Sequence, residues 1–258
     1  MLVWIIFIAA ILIFMVIDLG VFNRQAHVIS MKEATAWTIT WICIALSFSG
    51  IVYLLYSNNL VTNIDDLSPR SAVIKYITGY LIELSLSIDN IFVIAVIFTT
   101  FNIPMKYQHR VLFWGILGAI VFRLLMILFG VMLIHKIDWI IYVFGAFLLF
   151  TGINMYLKRN RESDFRRSPI YRFVNRIFPV TSGLKGQRFF IRYRGKIILT
   201  PLMVALMVIE ATDILFAVDS VPAILAITSD PFLVFSSNNL AILGLRSLYF
   251  FPANMLDR

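Results

Sequence analysis

The chain has 258 residues, 60% hydrophobic and 14% charged, with a mean hydropathy of +0.89 and a formal net charge of +8. This excludes an ordinary soluble domain, in which roughly 25% of residues are charged. The single cysteine, Cys43, excludes an intramolecular disulfide or a thiolate cluster and reads as a small apolar residue of a helix.

Apolar runs of roughly 20 residues, the length that spans hydrocarbon as a helix, fall at about 1–22, 35–56, 72–100, 110–134, 138–157, 200–228 and 231–252. A closed β-barrel needs short alternating segments instead, so the predicted fold class is all-α: one polytopic transmembrane helix bundle of about seven helices over residues 1–258. The first run has no basic residue before it and no small-residue cleavage signal after it, so it reads as a retained helix. The lack of an Arg-rich, Ser-rich leader favours a bacterial inner membrane over an organelle.

Between the fifth and sixth runs, residues 158–196 hold 12 of the 22 Lys and Arg residues. The positive-inside rule makes that loop cytoplasmic and, counting helices outward, places the N-terminus outside. The short loops carrying Arg24, Lys32 and Lys106 then fall inside, while those spanning 57–70 and 135–138 fall outside. The basic loop interleaves Arg with Phe and Tyr, but beside apolar helices it reads as a topology determinant touching anionic lipid headgroups, partly as amphipathic surface helices, and not as a nucleic-acid patch.

Two carboxylate motifs interrupt the apolar runs. Residues 83–90 read "ELSLSIDN" and residues 213–220 read "DILFAVDS", each with two acids six residues apart; Glu210 adds a fifth acid one turn upstream of Asp213. A charge near the bilayer centre costs on the order of 3 kcal/mol on insertion scales, so these acids demand a function or a partner. The motifs stand three helices apart and therefore run in opposite directions. That is the mark of an inverted repeat, predicted here as about 1–100 against about 110–228, with 231–252 as an extra helix. On an unbroken helix, six residues rotate a side chain by about 120°, so both acids of one motif cannot face one ion unless the helix unwinds or neighbours wrap around it. Pro222 deprives the Val218 carbonyl of its helical partner beside Asp219 and offers one more oxygen ligand.

Three readings compete for Glu83, Asp89, Glu210, Asp213 and Asp219. Arg123 and Arg246 lie within apolar segments and are candidate counter-ions, but two cations against five acids leave three negative charges. A proton relay is the second reading, and a cation site the third. His27, His109 and His135 fall in loops or at segment ends, and only Met203 and Met207 bring sulfur near a motif. An all-oxygen site, with Asn90 and Ser220 as further ligands, selects hard divalent ions such as Mn²⁺, Ca²⁺ or Mg²⁺ over zinc or copper. Asp65 and Asp66 in an outer loop read as ordinary turn chemistry. No nucleophile–base pair or phosphate loop points to an enzyme.

The segments "IELSLSIDNIFVIAVIF" and "VIEATDILFAVDSVPAILAIT", with "LGLRSLYF" around Arg246, closely resemble the paired acidic signatures of the TerC/Alx family, named for tellurite resistance. The resemblance implies a multi-pass bacterial inner-membrane protein that exports Mn²⁺ as its transported ion, with no permanently bound cofactor. It places the metal site at Glu83, Asp89, Asn90, Glu210, Asp213, Asp219 and Ser220. Some members are linked instead to tellurium resistance or to membrane-protein assembly, which keeps a non-transporting factor open as the alternative. Family members continue through at least one more apolar segment beyond the point where this sequence stops at "FPANMLDR".

Overall fold

The structure is a computed structural model that describes residues 2–17, 31–137, 139–158, 176, 178–181, 183–184, 186–193 and 195–256. Among them are seven long α-helices: α1 (Leu2–Ile17), α2 (Met31–Ser57), α3 (Pro69–Thr100), α4 (Met105–Lys136), α5 (Ile140–Lys158), α6 (Pro201–Leu225) and α7 (Pro231–Leu256). Each coincides with one predicted apolar run. The helices α2, α3, α4 and α6 are long and apolar enough on their own to cross a membrane. Several extend beyond their apolar run: α4 starts at Met105 rather than near 110, because hydropathy marks the hydrocarbon while a helix continues until its backbone is capped. Ser68 caps α3, its hydroxyl accepting from the Ser71 amide at 3.2 Å, and Pro69 opens the first turn.

The expectation of amphipathic surface helices in the basic loop falls largely outside the described residues. The loop's distal part is a two-stranded antiparallel hairpin, β1 (Phe190–Tyr193) with β2 (Lys196–Leu199), an element not expected from the sequence. Gly195 in its two-residue turn has φ +78°, a backbone that glycine adopts without steric cost. Thr200 stands at the predicted N-cap of α6, but its hydroxyl donates to the Arg188 carbonyl at 2.7 Å and ties the hairpin to the helix instead of capping it. The rest of 158–196 and the Arg24 loop lie largely outside the described residues.

The core is built from stripes. On α3, Tyr76, Gly79, Tyr80, Glu83, Ser87 and Asn90 recur at helical spacing and are all buried, whereas Leu81, Leu86, Ile88 and Phe92 on other faces are exposed, as lipid contact requires. This stripe packs against α7, with Gly79 at the close approach: a Cβ there would meet the Ser237 Oγ at 2.8 Å. Every residue of α7 from Phe232 to Gly244 is buried, among α2, α3 and α4. The helix predicted as an addition to the core is thus enclosed by it. On the other side α4 packs along α6, and α5 covers α6 while leaving most of its own surface exposed. The first helix docks by side chains, with Phe7, Ile11 and Met15 buried and the Phe7 ring 5.2 Å from Phe48 and 5.7 Å from Phe232.

Two connections that charge assigns to the outer face lie together. Asp65, between α2 and α3, accepts from the Thr228 hydroxyl at 2.6 Å, the Ser229 amide at 3.1 Å, the Ser229 hydroxyl and Lys75 at 3.3 Å. Burial alone would raise the Asp65 carboxyl, but the bonds from Ser229 and Thr228 and the Lys75 charge outweigh it and hold the group below the usual carboxylate range. At the opposite end, Arg110 of α4 reaches Gln187 at 3.4 Å and stacks over the Phe189 ring.

Candidate functional site: a buried charge cluster

Midway along the bundle, Arg123 of α4 is fully buried, and its position is set by three other helices. It is paired with Glu83 of α3, donates to Asn238 Oδ1 of α7 at 3.0 Å and reaches Asp213 Oδ1 of α6 at 3.3 Å. Glu83 is satisfied on all sides: besides Arg123, it accepts from Ser87 at 3.1 Å and from the Asn238 amide at 2.9 Å. Ser87 follows by four residues, so it shares Glu83's face. A guanidinium forks to two carboxylates in a way a lysine ammonium does not.

The second motif is treated differently. Asp213 offers one oxygen to Arg123, while its Oδ2 is buried without a hydrogen-bond partner. Glu210 Oε2 is also buried and unpartnered. Its carboxyl lies against the backbone of α4 at Gly118, where any Cβ would overlap it. Ser220 Oγ is a third unpartnered oxygen on α6. Beside Asp213 runs a narrow cavity of about 40 Å³, lined chiefly by apolar side chains together with Asn90, Thr212 and Tyr249. On that measure one water occupies roughly 10–15 Å³, so the cavity holds a few water-sized groups. Tyr249 donates to Gln108 at 2.7 Å beyond it.

The remaining predicted ligands lie elsewhere. The helix α3 is unbroken, and the 120° rotation over six residues leaves Asp89 exposed on a different face from the buried Glu83. Asp219 is half-buried and turned toward Thr151 of α5. The helix α6 also continues through Pro222 without unwinding. Among the described residues no group of three or more His, Cys, Asp or Glu side chains converges with the geometry of a metal site. Arg123 pairs as the sequence led one to expect, whereas the side chain of Arg246 lies outside the described residues.

Sequence reasoning missed Asn238, which joins both members of the central ion pair. The signal was present: "SSNN" at 236–239 is a run of four polar residues inside an apolar helix, and all four are buried. It also missed Asp230, fully buried, whose Oδ1 accepts from the Phe232 and Leu233 amides at the start of α7.

The architecture is that of a multi-pass helical membrane protein with a charged centre inside the bundle. More narrowly, the sequence signature described as "Integral membrane protein TerC family" matches residues 68–258, and the chain belongs to that family. It is 46% identical over 255 residues to the "Uncharacterized membrane protein STKORF319" of Myxococcus xanthus, covering 99% of this chain and 76% of that one. It is 42% identical over 260 residues to the "Putative membrane-bound redox modulator Alx" of Escherichia coli K12, covering 100% of this chain and 79% of that one. An "Uncharacterized membrane protein" of Rickettsia bellii is 41% identical over 255 residues, 99% of this chain and 80% of that one. No solved structure matches the chain.

Proposed function

We propose that the protein is a secondary transporter that exports Mn²⁺, or a similar hard divalent cation, across the bacterial inner membrane. The observation that carries this reading is the charge count at the centre. Glu83, Glu210 and Asp213 bring three negative charges and Arg123 one positive charge, leaving two, which one divalent cation or two protons would balance. The free oxygens are the ones on α6, where a hard ion would be held at the cavity by Asp213 Oδ2 and the polar atoms of Asn90 and Thr212, with Glu210 Oε2 one turn away on the side of α6 that faces Gly118. Asp89, Asp219 and Ser220 stand outside the cluster in this conformation and would serve the ion at another stage of its passage. Rocking of the two inverted halves would expose the site to each side in turn, and proton antiport would supply the energy as protons compete for the same oxygens.

In this reading the protein is not an enzyme and keeps no resident cofactor. A redox role, the word that the Alx relatives' name adds, would reach the cell through the ion, because manganese changes oxidation state and the chain has only Cys43 as a thiol. The test is intracellular manganese after a manganese load in cells lacking their own exporter. Cells carrying the wild type should hold less metal than cells carrying Asp213→Asn or Asp219→Asn at equal membrane abundance. Equal metal in all three would favour a non-transporting role in tellurite response or membrane-protein assembly.

A further inference from the structure

The hairpin carries a surface that the transport reading does not use. The register pairs Phe190 with Leu199 and Arg192 with Ile197, so these four side chains share one face. Phe190 is 51% exposed and Ile197 62% exposed, with Phe178 at 41% beside them, while Leu199 is buried against α6. An exposed apolar patch of this kind is costly in water and marks a membrane or partner contact. The hairpin is firmly seated. Thr200 bonds back to Arg188, Leu199 exchanges backbone hydrogen bonds with Pro179 and Thr181, and Arg110 of α4 covers Phe189.

The patch borders a groove that shares two walls with a neighbouring one. Its walls are Phe178, Phe190, Ile197, Arg192 and the α6 side chains Met203 and Met207. The same two methionines line a second groove, between α4 and α6, that continues past Trp114 to Gly118 and Glu210. Met203 to Glu210 is two helical turns, roughly 10 Å, apolar until the Glu210 carboxyl at its inner end. One end carries exposed Arg192, in the loop that charge assigns to the cytoplasmic surface; the other reaches Gly118 and Glu210 between α4 and α6.

We infer that this groove is a binding site for an anionic phospholipid, with the phosphate at Arg192 and one acyl chain laid over Met203 and Met207 between α4 and α6. A guanidinium recognises a phosphodiester by charge and paired donors, and unbranched chains suit the flexible thioether walls. The hairpin then acts as a rigid interfacial anchor that orients the basic loop on the membrane. The outer part of the groove, from Arg192 to Met207, is separate from the Arg123 cluster, so the assignment there stands whether or not that cluster carries metal; only the inner end touches Glu210.

Trp114 lines the inner part of the groove and is 44% exposed, so it reports directly on an acyl chain. In a full-length variant with Trp4, Trp37, Trp41 and Trp139 changed to Phe, Trp114 fluorescence is titrated in mixed micelles with phosphatidylglycerol or phosphatidylcholine bearing brominated chains. Phosphatidylglycerol should quench at an about fivefold lower mole fraction, the preference that one arginine at a membrane surface confers. Arg192→Gln should remove most of that preference, and Ile197→Ser should weaken quenching by both lipids. Equal quenching by the two lipids would reduce the groove to ordinary lipid contact and overturn the assignment. So would a preference that survives Arg192→Gln but disappears when Arg159, Arg161, Arg166 and Arg167 are neutralised.

Discussion

The two acidic motifs have the same spacing in sequence and opposite surroundings in the fold. On α3, Glu83 is held by Arg123, Asn238 and Ser87 and has no oxygen to spare; on α6, Asp213 and Glu210 each keep a buried oxygen without a partner. The difference comes from what each helix packs against. The stripe of α3 meets α7, the helix that supplies Asn238, whereas the Glu210 carboxyl of α6 meets the bare backbone at Gly118 of α4. A repeated motif thus divides into a fixed charge and an available one, and only the second leaves room for a ligand.

The largest test of that division is Arg123→Leu, which leaves Glu83 and Asp213 buried without their cation. It should destabilise the protein by about 3–5 kcal/mol, read as loss of folded protein in detergent, and Glu83→Gln added to it should recover part of the loss. A fully stable Arg123→Leu protein would show that the cluster is solvated and the pinned acid is not pinned.

Asn238→Ala should cost about 1–3 kcal/mol by leaving Glu83 Oε2 and one guanidinium bond unmatched, whereas Ser220→Ala, which removes an oxygen already without a partner, should leave the thermal midpoint nearly unchanged. Equal effects of the two would erase the contrast.

Asp65 extends the pinned class to the outer end. Its folded-state pKa lies below its unfolded one, so its contribution is present above the ordinary carboxylate pKa of about 3.9 and is lost as pH falls through the lower folded value. Asp65→Asn should therefore lower the thermal midpoint at pH 7, by the equivalent of about 1–2 kcal/mol, and the gap from wild type should close in acid. A gap that widens in acid would reverse the sign and refute the assignment.

A small effect on stability also belongs to Gly118→Ala. Alanine gains about 1 kcal/mol of helix propensity, and the new Cβ displaces only the mobile end of Glu210, so stability should stay within about 1 kcal/mol of wild type. Export should fall all the same, because the displaced carboxyl is one of the available ones. Unchanged export would remove Glu210 from the site.

All seven helices were legible in the sequence because a bilayer demands about 20 apolar residues per crossing, and that demand is local. The buried carboxylates and Arg123 were legible for the same reason, as charges where none are tolerated. Which acids meet depends on long-range packing. Asp89 left the cluster because α3 runs straight through the motif, and Asn238 entered it because α7 is enclosed by α2, α3 and α4. The hairpin was obscured by its basic residues, although Gly195 stands as a turn signal between "FIRY" and "KIIL".

The most direct measurement is Mn²⁺ flux into proteoliposomes holding the purified full chain, driven by an imposed proton gradient and compared with Asp213→Asn and with the doubly substituted Glu210→Gln, Asp213→Asn protein. The account predicts gradient-dependent flux for the wild type, a fall of tenfold or more for Asp213→Asn, and none for the double variant. Flux by the double variant equal to wild type would place the ion path elsewhere and contradict the central claim.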